Sequence, residues 1–167
     1  MTKFHTVEEA KQHLRDNWLA GTKCPCCNQN VKLYERKIDG RCAKSLIELY
    51  QFDDQRPDYY HVGDLPTYYK GGGDFAKLRF WGLIEEKPKD PDDSTRRTSG
   101  FWRITDRGRD FVEGRITVPR TVMIYNRKFY GYEDEKDVVS IKQCLGTQFN
   151  YEETMKPLNP TKQPTLI

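Results

Sequence analysis

The chain has 167 residues, 36% hydrophobic and 13% aromatic, enough for one domain or a domain with a small appendage around a modest, ring-rich core. Lysine and arginine number 28 against 25 aspartates and glutamates; the resulting +3 permits a nucleic-acid partner without demanding one. No apolar run reaches membrane length, the opening residues lack the apolar stretch of a secretory signal, and three of the five cysteines fall within residues 24–27, which together argue against a membrane protein or a disulfide framework and for a reducing, cytoplasmic setting.

The first predicted element is a helix over residues 6–19. Thr6 and Glu9 form a capping box, and Val7, Ala10, Leu14 and Trp18 follow at helical spacing. Gly21 ends it, and Lys23-Cys24-Pro25-Cys26-Cys27-Asn28 reads as a tight turn, with a short strand leaving through Val31, Leu33 and Tyr34. A second helix is expected over residues 42–51, with Ala43, Leu46, Ile47 and Tyr50 on one face. Tyr60-His61-Val62 is a short strand candidate. After the glycines at 71–73, Asp74 is expected to cap a third helix that buries Phe75, Leu78 and Trp81 and stops at Gly82.

Residues 83–87 and 101–104 read as the two arms of a hairpin, separated by the polar loop 88–100. Asp106 opens a short helix carrying Phe111 and Val112. Thr121–Tyr125 and Phe129–Tyr132 form a second hairpin turned at residues 126–128. Ser140 and Gln143 are a second capping box, opening a helix expected to run through Ile141, Leu145 and Phe149 to residue 150. The tail, with three prolines, is expected to be disordered. The segments so defined are 1–40, 41–116, 117–155 and 156–167.

The order helix, strand, glycine break, helix, long-looped hairpin, helix is that of a winged helix-turn-helix. Two segments carry the match: the helix running through Trp81-Gly82-Leu83-Ile84, and Phe101-Trp102-Arg103-Ile104-Thr105-Asp106-Arg107-Gly108 returning from the loop. Over residues 42 to 114 the chain resembles the MarR/PadR-like winged helices, where a Gly-Leu-Ile exit, a wing and an aromatic-x-x-Thr-x-x-Gly return recur; its texture is also similar to that of small phage and prophage proteins. In that family a full helix precedes the recognition helix, whereas here Pro66 interrupts the corresponding place. The fold expected is α+β: a winged helix flanked by an N-terminal helix with a cysteine turn and by a C-terminal hairpin and helix.

Two functions fit this fold. The first is a DNA-binding regulator of double-stranded DNA, with Lys70, Lys77 and Arg79 on the recognition side and Arg96 and Arg97 at the wing tip, opposed by Asp90, Asp92 and Asp93. The second is a protein-binding module that inhibits or recruits a host protein, with Tyr59, Tyr60, Tyr68 and Tyr69 as interface anchors. A homodimer would form through the terminal helices 6–19 and 140–150. No nucleophile elbow, phosphate-binding loop or metal-hydrolase motif occurs, so binding rather than catalysis is expected.

Cys24-x-x-Cys27 has the spacing of a zinc knuckle and resembles the Cys-Pro-x-Cys-Gly turn of zinc ribbons. Cys42 is the best third ligand, with His13, Cys26 or Cys144 as a fourth; the alternative is a set of reduced, metal-free packing thiols. In either case the role is structural.

Overall fold

The computed structural model describes residues 3–66, 74–92 and 99–157. The expected wing tip with Asp93, Arg96 and Arg97, the stretch with Tyr68, Tyr69, Lys70 and the three glycines, and residues 158–167 of the tail lie outside the described residues. The protein is mixed α+β with open antiparallel sheets. Among the described residues, no helix is long and apolar enough to cross a membrane.

By contact the chain forms two units, each discontinuous in sequence: Met1–Lys37 with Thr121–Asp134, and Ile38–Arg120 with Glu135–Ile167. In the first, helix α1 (Val7–Asn17) begins at the expected capping box, the Thr6 hydroxyl accepting from the Glu9 amide at 3.1 Å and the Glu9 carboxylate accepting from the Thr6 amide at 3.2 Å. Strands β1 (Thr22–Lys23) and β2 (Asn30–Val31) pair around the cysteine turn, Thr22 opposite Val31. The single strand expected near residue 33 is divided, β2 ending before β3 (Tyr34–Lys37) begins. β3 lies against β8 (Thr121–Tyr125), which pairs in turn with β9 (Lys128–Tyr132). Asn126 and Arg127 close that hairpin with φ of 48° and 60°, the doubly left-handed geometry that a two-residue loop between twisted strands requires.

The second unit is organised on α2 (Gly40–Gln55), longer at both ends than the sequence predicted. Its N-cap is Asp39, whose carboxylate accepts from the Cys42 amide at 2.8 Å. Eleven of its sixteen residues are buried, so it is a central helix rather than a surface one. Against it pack β6 (Phe101–Ile104), α3 (Asp106–Val112), α4 (Ile141–Leu145) and a 3-10 helix over Phe75–Trp81.

That 3-10 helix corrects the α-helix expected at this place, and Asp74 makes no capping hydrogen bond. Phe75, Leu78 and Trp81 are all buried, as expected, but their uniform spacing of three is the eclipsed repeat of a 3-10 helix and not the 3.6 of an α-helix. Gly82, at φ 71°, stops it, and β5 (Ile84–Glu86) follows. The sheet order is β4 (Tyr60–His61), β6, β5, so the expected hairpin between residues 84 and 104 is present, with Glu86 opposite Trp102 and Ile84 opposite Ile104. The hydroxyl of Thr105 caps α3 by accepting from the Gly108 amide at 3.0 Å and donates to the Gly82 carbonyl. A Cβ at position 108 would overlap the Leu83 carbonyl oxygen, so only glycine lets α3 start this close to β5.

An ion pair binds α2 to α3: Arg109 meets the buried Asp53 carboxylate while its guanidinium lies 5.3 Å from the centre of the Tyr50 ring, and the Tyr50 hydroxyl donates to Glu113 at 2.9 Å. The short strands β7 (Val118–Pro119) and β10 (Val138–Val139) pair with each other, and Arg120 faces Asp137 at 3.2 Å. The C-terminal helix is shorter than expected. α4 turns Ile141 and Leu145 into the core and ends at Gly146, whose φ of 58° and ψ of −137° leave helical space; a separate turn, α5 (Tyr151–Thr154), then starts at Asn150.

Candidate functional site

Charge divides unequally between the units. The second holds nineteen lysines and arginines against nineteen aspartates and glutamates, whereas the first holds nine against six and so carries the whole net charge of +3. Apolar burial divides the other way. Of the 28 buried hydrophobic residues among those described, 22 belong to the second unit and six to the first; of the six large hydrophobic residues left exposed, Val7, Leu19, Tyr34, Phe129 and Tyr130 belong to the first and only Val138 to the second.

Of the expected DNA-binding residues, the two that are described, Lys77 and Arg79, are engaged with side chains of their own unit. Lys77 pairs with Asp74, and Arg79 lies 3.9 Å from Glu86 with its guanidinium 4.9 Å from the centre of the Phe80 ring. They stand on a 3-10 helix of only seven residues, about two turns, which leaves little length to lay along a groove. Of the expected interface tyrosines, Tyr60 is a core residue: it is 2% exposed and its hydroxyl donates to the Phe52 carbonyl at 3.0 Å. Tyr59 is half-buried under the Arg103 guanidinium, 4.8 Å away.

The cysteine turn of the first unit is a built structure. The Cys24 amide donates to the Gln29 carbonyl at 2.8 Å and the Asn28 amide to the Cys24 carbonyl at 2.9 Å, closing a loop on the β1–β2 pair. Asn28 sits at φ 61°, the left-handed position that glycine fills in the zinc-ribbon turn and that asparagine also tolerates. The backbone amides of Cys26 and then Cys27 aim at the Cys24 sulfur, with the Cys27 thiol also in reach, and these donors hold the Cys24 thiol below its usual value by favouring the thiolate. Cys24 is half-buried, while Cys26 and Cys27 are exposed.

The expected third and fourth ligands behave differently. Cys42 belongs to the second unit and is buried in the first turn of α2; burial, then the Asp39 and Asp74 carboxylates, push its thiol far up. Burial pushes Cys144 up to about 12. His13 lies against Phe4 with tilted rings whose centres are 5.0 Å apart, and its Nδ1 faces the Asn17 amide at 3.4 Å. Among the described residues no group of three or more His, Cys, Asp or Glu side chains is arranged to hold a metal ion.

Two open hollows adjoin the turn. One, of about 640 Å³, lies between Phe4, Ala10 and the cysteines. The other, of about 340 Å³, runs from Cys24 and Cys27 past Leu14 to Trp18, Tyr125 and Tyr130. Trp18 and Tyr130 meet edge to face at 5.2 Å, and Tyr125 and Tyr130 at 6.4 Å. Sequence reasoning missed this aromatic face. Trp18 reads as part of a buried helical stripe, and Phe129 and Tyr130 read only as strand residues. Their one legible signal is adjacency: in a strand, neighbouring side chains point to opposite faces, so two consecutive rings cannot both enter one core. No protein-family model, curated protein or solved structure matches the chain.

Proposed function

We propose that this chain is a protein-binding module in which a winged-helix-type unit serves as scaffold and the first unit carries the contact face. The observation behind this is the concentration of exposed large hydrophobic residues, Leu19, Tyr34, Phe129 and Tyr130 among them, on a small unit beside a structured cysteine turn. Exposed large apolar side chains are what protein interfaces bury, and tyrosine and tryptophan are enriched among interface anchors. The balanced charge of the second unit supports the same choice, because a DNA-reading domain concentrates positive charge on its reading surface. The order of α2, 3-10 helix, β5–β6 hairpin and α3 supports the winged-helix reading of the scaffold.

The test is co-purification of the tagged full chain from cells that also carry a second, differently tagged copy. A polypeptide, host protein or second copy, is expected to be retained and to disappear when Phe129 and Tyr130 are both replaced by Asp. Retention of neither sinks the reading.

DNA binding is the second reading, favoured by one observation: β5 and β6 pair as the two arms expected of a wing, and Arg96 and Arg97 fall between them in the sequence. It expects duplex binding that survives physiological salt, with a salt slope that falls by about 2 when both arginines become Ala, roughly one unit for each phosphate no longer neutralised. Binding that vanishes at physiological salt rejects it.

A further inference from the structure

We propose that the Cys24–Cys27 turn is half of a zinc site completed by the same turn of a second copy of this chain, one zinc ion held by four thiolates across a two-fold axis. The inference rests on the protein-binding reading above and names its partner. A structural zinc site needs four ligands in a tetrahedron. Within this chain the turn offers two at knuckle spacing, in a loop closed by the Cys24 amide on the Gln29 carbonyl at 2.8 Å and the Asn28 amide on the Cys24 carbonyl at 2.9 Å. Among the described residues no third His, Cys, Asp or Glu side chain is arranged with these two to hold a metal ion. A second identical pair is supplied most simply by an identical chain, and a two-fold contact brings the same patch of both copies together.

An independent observation is the poor burial of the first unit. It spans about 50 residues, buries six hydrophobic residues and leaves five large ones exposed. Units of that size usually need a metal, a disulfide or an oligomeric partner to be stable. A shared zinc supplies two of these at once. The hollow of about 340 Å³ leads from the two thiols directly to Trp18 and Tyr130, so a copy docked on the metal also reaches the aromatic face. On binding, four thiols release four protons to solvent, and the four thiolates with Zn²⁺ carry a net charge of −2. Lys23, next to each Cys24, places a positive charge beside that centre from either copy.

The experiment is titration of the reduced, metal-free full chain with Zn²⁺, read by light scattering after size exclusion and by metal analysis. The expected result is conversion of monomer to dimer with one zinc per two chains, reversed by a chelator. Co²⁺ in place of zinc should give the strong absorption of a four-thiolate centre. Cys27→Ser should abolish both dimer and metal; Cys26→Ser and His13→Ala should preserve both. Because the wild-type titration needs no variant, a misfolded mutant does not obscure the answer. One zinc per monomeric chain, dimerisation indifferent to zinc, or no zinc uptake each overturns the shared site. The protein-binding reading fails separately, when the tagged chain retains no polypeptide at all.

Discussion

The two units solve the same problem, covering apolar surface, with opposite success. The second wraps β6, α3, α4 and a 3-10 helix around α2 and, among its described residues, leaves almost nothing large exposed. The first builds five short strands, a cysteine turn and one helix, and leaves Tyr34, Phe129 and Tyr130 exposed. The difference teaches where to look for function. An exposed apolar surface is where a partner is to be sought, and a unit that has covered its own offers no such place.

The contrast can be broken most forcefully at Trp102. It is 2% exposed and its ring meets Phe75 edge to face at 6.4 Å. Trp102→Ala is expected to cost about 3–5 kcal/mol in denaturant unfolding, the range for deleting a buried large aromatic; a near-native midpoint would mean that the second unit is no tighter than the first. Gly108→Ala comes next. The added methyl has no room against the Leu83 carbonyl and the Ile104 side chain, so a loss of about 1–3 kcal/mol is expected, the usual cost of overpacking.

Alkaline pH sharpens the same point. Burial raises the Cys144 thiol to about 12, whereas the unfolded chain ionises at about 8.5. Below the unfolded value both states are neutral and this thiol adds no pH dependence. Above it the unfolded state loses a proton that the folded state keeps, so stability falls by about 1.4 kcal/mol per pH unit until the folded thiol itself ionises. Cys42, also raised, acts in the same direction. Cys144→Ala should flatten the decline seen in melts between about pH 9 and 11, and an unchanged slope would assign the alkaline loss elsewhere.

The smallest effect belongs to the exposed face. Tyr34→Ser or Tyr130→Ser in the zinc-free monomer should change stability by no more than about 0.5 kcal/mol. A cost approaching that of Trp102→Ala would make those rings core residues and erase the distinction between the units.

Much of the second unit could be read from residues alone, because its signals are local. Thr105 three residues before Gly108, Gly82 after an apolar helix, and the strand pair across 88–100 all depend on near neighbours. The type of helix at 75–81 was legible but misread: apolar residues at 75, 78 and 81 sit at intervals of three, and the looser expectation of helical spacing hid that. Gly146 should likewise have stopped the C-terminal helix, but the spacing of Ile141, Leu145 and Phe149 carried the pattern across it. The pairing of β3 with β8 was not legible. β3 carries Tyr34-Glu35-Arg36-Lys37, all exposed, so no apolar alternation announces a strand, and its partner lies far along the chain. For the site, the turn at 24–28 was readable from its spacing, whereas the aromatic face depends on which rings stay uncovered, a property of the assembled sheet.

That same pairing decides when the first unit can exist. Tyr34 lies opposite Ile124, so β3 has no edge to join until the hairpin of β8 and β9 has left the ribosome. At about 5–20 residues per second that interval lasts several seconds or longer. Throughout it the helix and cysteine turn made first are tethered to a chain whose central segment is already able to collapse on α2. The beginning of the polypeptide is therefore among the last parts to be finished, and a deletion of residues 121–134 should leave β3 without its partner while β1 and β2 still have each other.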